Sequence, residues 1–214
     1  MKTLITIMLL LLLSVTPSFA TGRLVTGDEA DTLLSQIKQN QAQINTITGS
    51  FTEERLIATM PAPLVFTGKV YARPPSFLFL AYEKPLAHIM KVTGDTVLFY
   101  VEGAKTADKV DLHKMGEGGA PPNLFAWNPS DFKGEIIETE TGYLLSNPQI
   151  KAGDREIRIS LNKHSLLVQS LILQEPGGDK TTIHMDTLQI NKEIPKEIEA
   201  YTLPVGVTIN MMGQ

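Results

Sequence analysis

Apolar residues recur along the chain with two different periods, and the change of period divides it. Between 28 and 47, Leu33, Leu34, Ile37, Ile44 and Ile47 fall three or four apart, with Gln41 in the same stripe and polar residues behind. That spacing predicts one amphipathic helix, because positions three and four apart share a helix face. Thr26 followed by Glu29 has the spacing of a capping box at its start, and Gly49 is placed to end it.

After this helix the apolar runs are short and bounded by turn residues, which predicts strands. They cover 50–58, 65–73, 77–82, 88–92, 96–101, 135–140, 143–147, 155–161, 166–175, 181–190 and 205–211. Tight turns such as Thr93-Gly94-Asp95, Thr141-Gly142 and Pro176-Gly177-Gly178-Asp179 join neighbours, so the strands read as an antiparallel meander. So many strands exceed a flat open sheet, which predicts strong curvature or an incomplete barrel. The Gly- and Pro-rich stretch 116–134 interrupts the meander, and 123–127 is long enough for one helical turn over its mouth. The expected fold is therefore mainly β with flanking α.

One strand does not alternate. Phe77-Leu78-Phe79-Leu80-Ala81-Tyr82 has no polar face to give to water, and prolines bound it at Pro74, Pro75 and Pro85. A strand apolar on both faces is buried on both. Either a second layer covers each side, or one side faces an apolar cavity.

The first 20 residues stand apart from this pattern. Lys2, the apolar run from Leu4 to Leu13, and Ser18-Phe19-Ala20 have the three parts of a secretory signal, with cleavage expected after Ala20. The run is shorter than the roughly 20 residues of a spanning helix. A single exported, soluble and monomeric domain over 21–214 is the expectation. The 214-residue chain has no cysteine, so disulfides and a lipid-modified cysteine are excluded. A net charge of −4, with no basic run, argues against nucleic acid as a partner.

Candidate chemistry is sparse. The histidines His88, His113, His164 and His184 lie at least 20 residues apart, so no spacing suggests a metal. No nucleophile elbow, phosphate loop or dinucleotide fingerprint occurs. Glu53 and Glu54 are adjacent on a strand and point to opposite faces, so they cannot share a substrate. The reading is of a protein with no catalytic residues, no metal and no cofactor.

The order of short motifs changes the picture. Gly68-Lys69-Val70-Tyr71-Ala72-Arg73-Pro74, then Phe77, Phe79, Tyr82 and Pro85, then Gly94 with Val97-Leu98-Phe99-Tyr100, resembles the LolA family. The likeness extends from Gly49-Ser50-Phe51-Thr52 to Leu203-Pro204-Val205-Gly206-Val207. The family comprises periplasmic carriers of lipoproteins, and the resemblance implies an incomplete barrel with helices covering its mouth over a hydrophobic cavity. It implies acylated lipoproteins as cargo, an inner-membrane release complex and an outer-membrane receptor as partners. Arg73 matches the arginine of the family's Arg-Pro motif, which implies a lid latch. Phe51, Phe66, Phe77, Phe79, Leu98 and Tyr100 are candidate lipid-binding wall residues, and Leu33, Ile37 and Ile44 candidate lid residues. Which strand parity faces the cavity stays open.

Pro75 after the Arg-Pro pair, the stiff Met60-Pro61-Ala62-Pro63 and a Phe79 in place of the familiar tryptophan depart from the family pattern. They leave room for a relative that binds a different lipid or glycolipid, or for a module that senses lipoproteins.

Overall fold

The computed structural model describes residues 22–114, 128–147 and 155–212. The signal segment and most of the 116–134 insertion, including 123–127, lie outside the described residues. Among these, the strands form one open, curved sheet. They are β1 (Arg23–Val25), β2 (Ile47–Leu56), β3 (Leu64–Arg73), β4 (Phe77–Lys84), β5 (His88–Thr93), β6 (Thr96–Val101) and β7 (Thr106–Asp111). The second half supplies β8 (Glu135–Glu138), β9 (Gly142–Ser146), β10 (Glu156–Asn162), β11 (Val168–Gln174), β12 (Lys180–Ile190) and β13 (Thr208–Met212).

The order is β1-β8-β9-β10-β11-β12-β2-β3-β4-β5-β6-β7-β13. All pairings are antiparallel except β13, which returns parallel to β7. β1, β7 and the parallel return are additions to the expected meander. Residues 23–25 are too short a run to show a period, and the alternation in β7 is masked by Asp108 and Lys109 at its centre.

The helices among the described residues are α1 (Asp28–Ala42) and α2 (Lys196–Glu199), with 3-10 turns at Leu112–Lys114 and Pro129–Asp131. α1 starts where expected but without the capping box. Gly27 is its N-cap, and Glu29 reaches back to Arg23 instead. The helix ends five residues before the apolar stripe does. Asn191 explains this: its Oδ1 accepts from the Asn45 backbone N–H at 2.7 Å and its Nδ2 donates to Gln43 O at 3.0 Å. Thr46 Oγ1 donates to Lys192 O at 2.6 Å. The chain is thus turned out of the helix, and Ile47 opens β2 opposite Ala72 and Ile190.

Register assigns the faces. Across β2, β3, β4 and β5 the rows Ile47–Ala72–Leu78–Val92 and Gly49–Val70–Leu80–Met90 point to one side. Phe51, Gly68 and Tyr82 share it. This inner face carries both cores. One joins Phe51, Val70, Leu78, Leu80, Tyr82, Met90 and Val97 to Leu171 and Ile183. The other joins Leu33 and Ile37 of α1 to Val25, Ile136, Leu145, Leu161 and Val168. α1 therefore lies over the β1, β8–β10 end of the sheet.

The outer face is polar along β2, where Thr48, Ser50, Thr52 and Glu54 alternate with the inner residues. Across β3, β4 and β5 it becomes apolar, with Tyr71, Phe79 and Ile89. There the C-terminal segment crosses it. The Tyr201 ring packs edge-on against Phe79, with centroids 5.3 Å apart. Lys91 Nζ donates to Tyr201 O at 3.0 Å and to Glu199 O at 3.4 Å. Phe77 to Tyr82 is apolar on both sides because it has two covers: the inner core and this strap.

Candidate functional site

Gly68 shapes the centre of the inner face. A Cβ there would stand 2.3 Å from Ala81 O and 2.9 Å from Phe51 Cζ, so only hydrogen lets the Phe51 ring lie across β3. Phe51 then meets Tyr82 edge-on at 5.0 Å, and Tyr82 stacks on His88 at 4.0 Å with planes 11° apart. Phe66 stands edge-on to both Tyr82 and His88. These rings belong to four adjacent strands, β2 to β5, and the edge-on pairs among them are a favoured arrangement.

A charged group is buried among them. Glu53 is 1% exposed, whereas its neighbour Glu54 is exposed, as strand alternation requires. The Tyr82 hydroxyl donates to Glu53 Oε2 at 2.5 Å, and Arg55 Nε donates to Oε1. A buried carboxylate is tolerable only with such partners. Burial, then the Glu53 charge, pushes the Tyr82 hydroxyl well above its ordinary range, so it stays a donor. Burial opposes the Arg55 charge most strongly, but the hydrogen bond and the charge of Glu53, helped by Tyr82, together outweigh it and raise its pKa. The guanidinium also lies 4.7 Å from the Phe66 ring centroid.

Beyond this cluster the inner face opens. A cavity of ≈ 370 Å³ is lined by Arg55, Tyr82, His88, Met90, Phe99 and Thr106, among others. Phe99 and Val101 reach it from β6 and remain 38% and 41% exposed. A small apolar crevice beside Ile44, Ile47, Leu161, Leu166 and Leu188 marks where α1 ends.

The candidate residues fall into three places. Phe51 and Phe66 lie on the inner face of β2 and β3 and belong to the ring cluster. Leu33 and Ile37 are buried under α1 in the other core, while Ile44 packs against the first core just after α1 ends. By register Phe77, Phe79, Leu98 and Tyr100 lie on the outer face; Phe79 is buried there beneath Tyr201, and Tyr100 also lines the ≈ 370 Å³ cavity. Arg73, adjacent to the inward Ala72, also points outward and pairs with Glu199 of α2. Sequence reasoning missed the inner row of Leu80, Tyr82 and Met90, and missed Arg55. A two-residue step from Phe51 through Glu53 to Arg55 was the available signal: it sets an ion pair on the same face as a buried ring.

Among the described residues, no group of three or more His, Cys, Asp or Glu is placed to hold a metal, and no helix is long and apolar enough to cross a membrane.

The fold is one large curved sheet with a helix against its inner face. It is similar to an uncharacterised conserved protein from Thermus thermophilus at a TM-score of 0.50 and 10% identity, over 85% of this chain and 98% of that one. A LolA superfamily protein from Nitrosomonas europaea is similar at a TM-score of 0.46 and 7% identity, over 79% and 96%. MucB in its Pseudomonas aeruginosa complex with MucA is similar at 0.44 and 12%, over 78% and 59%. No curated protein matches the chain in sequence. The family model described as outer membrane lipoprotein carrier protein LolA matches residues 42–198, and the chain belongs to that family.

Proposed function

We propose that this protein is a periplasmic carrier whose inner face shelters the acyl chains of lipoproteins and moves them from the inner to the outer membrane. In this reading residues 1–20 are the export signal, 21–214 form the carrier domain, and an inner-membrane complex and an outer-membrane receptor load and unload it. The supporting observation is the continuous apolar inner face from Ile47 to Val97, which ends at the exposed Phe99 and Val101 beside the ≈ 370 Å³ cavity. An acyl chain gains about 0.8 kcal/mol per methylene taken from water, so it needs such a surface to cross the periplasm. Helices of the lid close the mouth, and Arg73 acts as the latch through the C-terminal segment it holds by Glu199.

The cluster of buried Glu53 and Tyr82 with the part-exposed Arg55 favours a second reading, an amphiphile other than a lipoprotein. Arg55 spends Nε on Glu53, and a chain of methylenes has no use for the remaining donors at the cavity wall.

Native mass spectrometry of protein isolated from a periplasm tests both. Triacylated protein or peptide is the expected bound mass, and another lipid supports the second reading. Phe99→Glu places a charge on a half-exposed inner position, so the fold persists while acyl binding is lost. Unchanged binding by that variant would put the acyl site elsewhere.

A further inference from the structure

The outer face holds a second compartment. Between β5–β7 and the C-terminal strap runs a cleft of ≈ 430 Å³, walled by Leu98, Tyr201, Leu203 and Ile209. Its floor is set by register: Lys91 of β5 pairs with Leu98 of β6, and Leu98 pairs with Lys109 of β7. Two lysines therefore flank one leucine in a single cross-strand row. Adjacent strands lie about 4.8 Å apart, so the lysine Cα atoms stand roughly 10 Å apart, within reach of one small anion over Leu98.

Both cations line the cleft, and no carboxylate does. Lys91 is held: two of its three N–H donors go to Glu199 O and Tyr201 O, and the third is unspent. Lys109 makes no hydrogen bond or ion pair among the described residues. The nearest acid along its own strand face, Asp111, accepts from the His113 backbone N–H, and Glu199 is taken by Arg73. Lys91 Nζ also lies 6.0 Å from the Phe77 ring centroid, and neither lysine has a carboxylate partner among the described residues. An apolar cleft with two such cations at its floor is complementary to an amphiphile with one anionic end.

We propose that this cleft binds a single-chain fatty carboxylate, its head between Lys91 and Lys109 and its chain under the strap along Leu203 and Ile209. The volume lies at the low end of the roughly 300–1,000 Å³ of ligand pockets, which suits one chain rather than two. The site is separate from the inner face, and it gives Leu98 a ligand that the inner compartment does not.

Titration calorimetry of the purified protein with palmitate and with palmityl alcohol tests this. Palmitate binds about tenfold more tightly than the alcohol, the scale of one charge-assisted hydrogen bond. Lys109→Gln leaves the strap contacts of Lys91 in place and abolishes the preference, with an unchanged melting temperature. Phe99→Glu, on the inner face, keeps the preference, so a failure of the carrier reading is distinguishable from a failure here. Equal affinity for acid and alcohol, or a preference that survives Lys109→Gln, would overturn the assignment. So would a preference lost in Phe99→Glu alone.

Discussion

The Phe79 ring meets Tyr201 at 5.3 Å on one side of β4, while Leu80, the next residue, is buried in the core on the other. One strand thus separates two apolar compartments, and each of its residues reports on only one of them.

Phe79→Ala empties a buried ring site beneath the strap. Losses of about 3–5 kcal/mol follow such truncations, because a cavity remains where the ring was. Denaturant unfolding should show this loss, while acyl binding to the inner face, measured at a temperature where the variant is folded, stays unchanged. Loss of binding in the folded variant would show that the strap side and the inner side are coupled.

Tyr82→Phe removes the hydroxyl from Glu53 Oε2 and leaves the buried carboxylate with Arg55 alone. The expected cost is about 1–3 kcal/mol, the penalty for an unmade bond to a buried polar group. The wild type carries a matching pH dependence. The folded Tyr82 pKa is raised, so its contribution is complete below the unfolded value of about 10 and declines as pH rises above it. The alkaline limb of the stability profile should flatten in Tyr82→Phe. A loss of similar size with no change in that limb would remove the hydroxyl from the account.

Gly68→Ala drives a methyl into Ala81 O and the Phe51 ring. The backbone oxygen cannot yield, so β3 and β4 must part locally. Hydrogen exchange at the β3–β4 ladder should rise sharply, and the melting temperature should fall by several degrees, as a loss of 1–3 kcal/mol from overpacking implies. Ordinary exchange at those amides would mean the sheet absorbs the methyl.

The short edge strand β1 depends on surface charge. Arg23 Nε donates to Glu138 Oε2 at 3.0 Å and Nη1 to Glu29 Oε2 at 2.7 Å, and Lys163 Nζ lies 2.9 Å from Glu138 Oε1. Hydrogen bonds from Lys163 and Arg23 hold Glu138 below the usual carboxylate range, and the bond from Arg23 does the same for Glu29. Both folded values are depressed. Their contribution is therefore present above the unfolded value of about 4.3 and is lost as pH falls below it. Exchange at β1 amides should accelerate through that window before the central strands respond, and Arg23→Gln should produce the same acceleration at neutral pH.

Much of this protein is fixed by local pattern. The amphipathic period of 28–47, the two-residue period of the strands and the Gly-rich turns are local signals, and they place the start of α1 and most of the strand ends within two or three residues, though not the end of α1. The order of motifs around Gly68, Arg73 and Gly94 carries the family. What remained for tertiary structure to decide was set by contacts distant in sequence. Asn191 ends the helix early from almost 150 residues away, and residues 23–25 become a strand only because Ile136 and Glu138 offer an edge. Parity along Phe77 to Tyr82 could not be read, since a strand apolar on both sides has no period to betray its inner face. Pairing with β3 settled it, sending Leu80 and Tyr82 inward beside Glu53 and leaving Phe77 and Phe79 to the strap. A local period encodes that a face is buried, but which partner buries it depends on where the chain returns.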